Sequence, residues 1–230
     1  MGNNQHGFPL INHQAAYNPP RDCGLDLVHC DESVLVVNKP ADLLSVPGRG
    51  AEKMDSLASR VQKKFPDALV VHRLDMSTSG LLVLARGAEM QRRLSRLFRE
   101  RGVEKRYVAV VAGRLEAATG EVNMPLISDW PNRPRQKVDW ASGKSSLTCY
   151  SRLAYDTQMN ASRVELQAVT GRTHQLRVHM AAIGHPILGD ALYGDPPNHG
   201  AERLLLHARA LSFTHPLSAE PLSLVCEPPF

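Results

Sequence analysis

Long apolar runs are missing from this chain. No part of its 230 residues approaches the roughly 18 to 20 consecutive apolar residues of a membrane-spanning helix. The start has no basic patch followed by an apolar stretch, so no secretory signal is expected. Met1-Gly2 is followed by His6 where a myristoylation site needs Ser or Thr. The expected location is the cytoplasm. Cysteine is sparse. Cys23, Cys30, Cys149 and Cys226 have the spacing of neither a zinc knuckle nor a redox Cys-x-x-Cys pair, and read as reduced thiols. Charge of one sign is not in large excess either. A formal net charge of +4 excludes a histone-like polycation, while an isoelectric point near 9.0 still favours an anionic partner, for which nucleic acid is the usual choice. Internal repeats and low-complexity tracts are absent from the sequence.

What is present suits a globular protein: 43% of residues are hydrophobic, and the length is enough to bury a full core. Residues 1–22, polar and rich in Asn, Gln and Pro, read as a flexible tail, with a globular region from 23 to 230. Leu25–Val28 and Val34–Val37 suggest a strand pair joined at Asp31-Glu32. Lys39 to Gly50 reads as loop, and Asp55–Phe65 as a helix with Asp55 as N-cap. Ala68–Val71 and Leu81–Leu84 are further strand-like runs. The clearest helix is 88–101. Met90, Leu94, Leu97 and Phe98 share one face, arginines cover much of the rest, and Gly102 ends it. Strands are expected at 106–112, 147–153, 163–169, 204–206 and 211–213. A second well-marked helix, 174–183, is expected with Thr173 as its cap. Strands outnumber helices and come in runs, which argues an α+β fold on a mixed or antiparallel sheet.

The chemistry concentrates in His72-Arg-Leu-Asp-Met-Ser-Thr-Ser-Gly-Leu-Leu-Val-Leu-Ala-Arg86. Asp75 stands in a short polar loop between two strand-like runs, where a rigid sheet holds it and a ligand can reach it. A carboxylate beside a guanidinium such as Arg73 is stabilised as the anion, and an anionic carboxylate can attack carbon at or near an anomeric centre. An Asp in such a loop can equally be a turn former. No second carboxylate lies nearby in sequence to serve as the general acid of ordinary glycoside hydrolysis.

This run closely resembles the signature of the RluA-type pseudouridine synthases, which isomerise uridine within RNA. Thr170-Gly-Arg-Thr-His-Gln-Leu-Arg-Val-His-Met180 resembles the same family almost letter for letter, and the resemblance spans roughly Leu35 to the C-terminus, including His185–Asp190 and Arg203–Ala208. The resemblance implies a pseudouridine-synthase-like sheet, mixed but mainly antiparallel, with flanking helices and a central cleft. It implies a catalytic domain without the small N-terminal RNA-binding domain of larger relatives, because 22 residues are too few to form one. It maps Asp75 onto the family's catalytic aspartate, Arg177 onto its arginine partner, and Tyr107 onto the tyrosine that lies against the target uracil. Arg73, with His72 beside it, maps onto the arginine that enters the RNA where the base has left. Base extrusion is needed because the reacting atoms are inaccessible within a stack. The residues leave open whether Asp75 attacks C1′, attacks C6 or removes a sugar proton. No cofactor is implied, since isomerisation has no net redox or hydrolytic step.

Pro125–Val138, with Ser45-Val-Pro-Gly48, resembles the dual-specificity branch that modifies both 23S rRNA and tRNA. Trp130, Arg133, Arg135 and Lys137 give this loop the means to grip phosphates and stack on an unpaired base. Between Gln91 and Arg106, seven basic residues face two acidic ones, so Arg92 and Arg96 suggest a phosphate track beside the Asp75 loop. Arg172, just before the second helix, suggests another phosphate contact. His174 and His179 lie about 140° apart on a helix, and without a ligand set no metal site is expected. The expected partner is structured RNA, namely stem-loops of 23S rRNA and tRNA, with no membrane and no obligate protein partner, so the protein is expected to be a monomer. The competing functional classes are a non-catalytic RNA-binding or chaperone protein of the same fold, a synthase acting on rRNA only, and a glycosidase releasing free uracil.

Overall fold

The computed structural model describes residues 17–194 and 201–230. Ten strands share one sheet. Its main path runs β1 (Leu27–Cys30), β2 (Val34–Lys39), β4 (Ser79–Arg86), β11 (Leu206–Thr214), β5 (Val103–Ala112), β10 (Ala161–Ala168), β9 (Leu147–Asp156) and β6 (Thr119–Asn123). Two further strands add to it, β3 (Ala68–Val70) against β4 and β12 (Pro221–Val225) against β11. All these pairings are antiparallel except β4 with β11. A separate hairpin is formed by β7 (Leu126–Ser128) and β8 (Gln136–Val138). The α+β class and the mainly antiparallel sheet expected from the sequence are both present.

The apolar run Val34–Val37 is buried on both faces of the sheet, as a central strand should be. Leu35 and Val37 join Leu82, Leu84 and Leu74 in one core, which α1 (Leu57–Lys64) covers with Leu57 and Val61. On the same face, α3 (Gln175–Ala182) lays Leu176 and Met180 on Ala109, Val111, Val164 and Leu166. Tyr107 packs at the junction of these two cores. Val34, Val36, Leu81 and Val83 point the other way, into a core closed by Leu94 of α2 (Gly87–Arg99) with Leu97 and Phe98 around it. Helix α2 therefore lies on the opposite side of the sheet from α1 and α3.

Several local expectations need correction. The cap of α1 is Ser56, whose hydroxyl accepts the Ser59 N–H while Ser59 accepts the Ser56 N–H; this reciprocal box satisfies two orphan donors. Asp55 instead pairs with Arg60 at 2.7 Å. Thr173 does not cap α3; His174 occupies that position with left-handed backbone, φ 52° and ψ 18°, and no side-chain cap. The sequence reading also passed over β6, β7, β8 and β12. Strand β12 opens with a proline and alternates exposed with half-buried residues, as an edge strand does. Of the segment read as a tail, residues 1–16 lie outside the described residues. From Tyr17 the chain is tied down: the Tyr17 hydroxyl donates to the Asp55 carbonyl and accepts the Leu44 N–H, and Arg60 donates to the Pro20 carbonyl.

Candidate active site

Asp75 sits in the turn that leads into β4, with Thr78 N–H donating to its carbonyl. Three contacts fix this turn from inside. Leu74 is buried in the core under α1. The buried Ser45 hydroxyl donates to the Leu74 carbonyl at 2.7 Å and accepts the Leu74 N–H at 3.1 Å. Lys39, at the end of β2 and 0% exposed, donates to the carbonyls of Pro40, Leu43 and Met76. Burial pulls the Lys39 ammonium down to about 7, against the opposing pull of Asp42 and Asp75. Gly80 closes the frame: at φ 110° a side chain there would collide with the backbone of Ala208, so only glycine lets β4 meet β11.

With its backbone so held, Asp75 keeps a quarter of its side chain exposed. Arg177, 4% exposed on α3, donates from Nη1 to Asp75 Oδ2 at 3.3 Å. Arg177 is aimed by Asp190, itself fully buried, which accepts from Nε at 2.8 Å and from Nη2 at 2.7 Å. This fork fixes the guanidinium plane. Burial opposes the charge on Asp190, but the hydrogen bonds and charge of Arg177, with the Leu192 and Tyr193 N–H groups, together hold the carboxyl below the usual range. Gly189, at φ 75°, leaves no room for a side chain beside the Arg203 carbonyl and so sets the turn that delivers Asp190. Tyr107 lies half-buried on β5; burial, and then the Asp75 charge, push its hydroxyl well above the usual phenol range. The expected trio of Asp75, Tyr107 and Arg177 is thus gathered at one place.

The other expected residues divide. Arg73 is exposed beside Asp75. His72 stacks on Phe98 of α2, with ring centroids 4.3 Å apart, and its Nε2 accepts the Val83 N–H at 2.9 Å. Burial, with the Lys105 charge adding to it, brings His72 down to about 3, so the ring is a neutral brace between α2 and β4. Arg92 and Arg96 are exposed, on the sheet face opposite α1 and α3. Arg92 and Arg93 both bond Glu89, and Arg106 bonds Glu104 and Glu165, which neutralises much of the apparent basic stripe. On the hairpin, Trp130 is 65% exposed and Arg133 lies flat on it, 3.3 Å from the ring centroid. Arg135 and Lys137 are exposed. Arg172 is exposed and donates to the Ser145 carbonyl.

Sequence reasoning missed four residues here. Asp190 closes a run that resembles the family, but the run alone gives the acid no role; Lys39 carries no local pattern, since a lysine ending a strand ordinarily faces water. Tyr193 was also passed over. Its hydroxyl accepts the Gln136 N–H of β8 at 2.7 Å and meets His174 Nδ1 at 2.7 Å. Trp140, 73% exposed just past β8, is a second aromatic on the hairpin side.

Only one of the two carboxylates at this site, Asp75, is open to a ligand; Asp190 is sealed against Arg177. A pair of open carboxylates flanking a scissile bond, as glycoside hydrolysis needs, is not formed by these two. A single carboxylate beside a guanidinium and a half-buried aromatic ring suits attack or proton removal on a nucleoside lodged at the ring. Among the described residues no three His, Cys, Asp or Glu side chains converge as metal ligands, and no helix is long and apolar enough to cross a membrane.

Known proteins share both sequence and fold. The family model described as RNA pseudouridylate synthase matches residues 33–182. A Pasteurella multocida (strain Pm70) protein named dual-specificity RNA pseudouridine synthase RluA is 50% identical over 216 residues, covering 94% of this chain and 98% of that protein. Its namesake in Escherichia coli (strain K12) is 52% identical over 201 residues, covering 87% and 91%. Among solved structures, human RNA pseudouridylate synthase domain containing 1 superposes with a TM-score of 0.77 at 30% identity, covering 93% of this chain and 87% of that one. The likeness therefore runs through the Asp75 turn, β5 and α3 alike, and the chain belongs to the RNA pseudouridylate synthase family of isomerases, which convert uridine in RNA to pseudouridine.

Proposed function

We propose that this enzyme modifies uridines in stem-loops of both 23S ribosomal RNA and transfer RNA, working as a single chain in the cytoplasm. The observation that carries the chemistry is the contact of Arg177 with a partly exposed Asp75 beside Tyr107. The support for two RNA classes is the name dual-specificity on relatives half-identical over nearly their whole length.

Isomerisation breaks the N1–C1′ bond, turns the uracil, joins C5 to C1′, releases the C5 proton to solvent and leaves N1 protonated. Asp75 acts as nucleophile or base; attack at C1′, attack at C6 and removal of a sugar proton each need one carboxylate held as this one is. Arg177 orients it and stabilises its charge. The Tyr107 ring supplies a flat apolar wall against which the loose uracil turns, and its hydroxyl stays protonated at neutral pH because burial and the Asp75 charge disfavour the phenolate. Arg73, exposed next to Asp75, fills the gap in the stack left by the extruded base. Trp130, Arg133, Arg135 and Lys137 grip the flanking RNA, and Arg172 adds a phosphate contact. Arg92 and Arg96, with His72 as the brace beneath their helix, form an outer, weaker contact.

Mapping pseudouridines in the ribosomal and transfer RNA of a deletion strain tests this substrate range. The expected result is loss of modification in both RNA classes, restored by the wild-type chain. Loss confined to ribosomal RNA would leave an rRNA-only synthase, and no loss in either would refute the assignment.

A further inference from the structure

We propose that His174 and Tyr193 form a positioning dyad that joins the RNA-binding hairpin to the reacting carboxylate. This role rests on Asp75 being the reacting group, as proposed above.

Two hydrogen bonds and one longer approach link the hairpin to Asp75. The Gln136 N–H, on β8, donates to the Tyr193 hydroxyl oxygen at 2.7 Å. A backbone amide can only donate, so the phenol oxygen is an acceptor there. The phenol proton then has one acceptor among the described residues, His174 Nδ1 at 2.7 Å. A neutral imidazole that accepts at Nδ1 carries its proton on Nε2. Burial keeps His174 below its usual pKa and so favours this neutral form. Nε2–H faces Asp75 Oδ2 at 3.9 Å, on the same oxygen that Arg177 Nη1 approaches at 3.3 Å. Tyr193 is fixed in turn by Asp190, whose Oδ1 accepts its N–H at 3.2 Å, and Arg177 lies over its ring at 5.2 Å. The dyad thus shares its supports with the arginine that holds Asp75.

An independent observation agrees. His174 holds φ 52°, a left-handed conformation that few non-glycine residues adopt. The N-cap position of α3 would be better filled by Ser, Asp or Asn. What the histidine gains there is reach: its ring spans from Tyr193 to Asp75. A side chain present only for stability has no need of both contacts.

Asparagine separates the two explanations. It tolerates left-handed backbone and caps helices well, and its Oδ1 can still accept the Tyr193 proton, but its Nδ2 falls short of the imidazole Nε2 position that faces Asp75. His174→Asn is therefore expected to unfold no earlier than wild type in a thermal melt. Its single-turnover tritium release from C5-labelled uridine RNA at saturating enzyme is expected to fall about tenfold to a hundredfold, the scale of a misplaced reacting group. RNA affinity should stay within about twofold, so the loss lies in the rate and not in binding. Tyr193→Phe, which unties the hairpin and the tautomer together, is expected to lose at least as much rate. Either variant turning over within about twofold of wild type while folded overturns the dyad, as does a loss that follows melting temperature alone. Asp75→Asn belongs in the same assay: if it retains activity, the role given to Asp75 has failed, and not the dyad specifically.

Discussion

The hairpin and helix α2 each present arginines at the surface, yet they differ in where those arginines lead. The hairpin stacks Arg133 on Trp130 and is bonded through Gln136 and Tyr193 to His174, whose Nε2 lies 3.9 Å from Asp75. Helix α2 lies on the other face of the sheet, turns Arg92 and Arg93 onto Glu89, and communicates with the Asp75 strand through the neutral ring of His72. The helix carries the denser basic run in sequence; the hairpin has the connection. On the proposed function, proximity to Asp75 and freedom from internal ion pairs, more than the count of positive charges, assign the RNA near the scissile bond to the hairpin.

The largest effect is expected where the hairpin side meets the interior. Arg177→Met strips Asp190 of its partner while leaving it buried, which should lower unfolding stability by about 3–5 kcal/mol in urea titrations. A loss under about 1 kcal/mol would show that the Arg177–Asp190 fork does not anchor this side. Next comes the α2 side. His72 is held neutral down to about pH 3 in the fold, whereas in the unfolded chain it takes up a proton near pH 6.5. Its contribution is therefore intact above pH 6.5 and lost as pH falls toward 3. His72→Gln should flatten the fall in stability between pH 6 and 4 by about 1 kcal/mol per pH unit. An unchanged slope would mean that the ring titrates freely and does not brace α2.

Binding effects are smaller. Trp130→Ala with Arg133→Ala should weaken RNA affinity by about 1–3 kcal/mol, the range of one lost stacking platform. Arg92→Gln with Arg96→Gln should cost less than that pair and reduce the salt slope by no more than about 2. If the helix pair proves more damaging than the hairpin pair, the ranking of the two surfaces is reversed.

Much of this was legible in the chain itself. The α2 stripe of Met90, Leu94, Leu97 and Phe98 specifies a helix with one buried face, and the sheet's central strands read as continuous apolar runs. The Asp75 turn and Arg177 were reached through motifs. Which side of the sheet α2 covers was not legible, because a stripe gives the buried face of a helix but not its partner. The roles of Asp190 and Lys39 were not legible, since each is defined by a contact elsewhere in the chain, with Arg177 in one case and the Met76 carbonyl in the other. The His174 backbone could not be foreseen, because left-handed backbone is uncommon for any residue but glycine and nothing local in the sequence marks it.

Tritium release by Asp75→Asn, measured beside wild type on RNA carrying C5-labelled uridine and with binding followed in parallel, decides whether this carboxylate performs the isomerisation. Release should fall at least about 100-fold, the lower end of what one positioned acid–base group supplies, with RNA binding retained. Release at the wild-type rate would contradict the role of Asp75 outright.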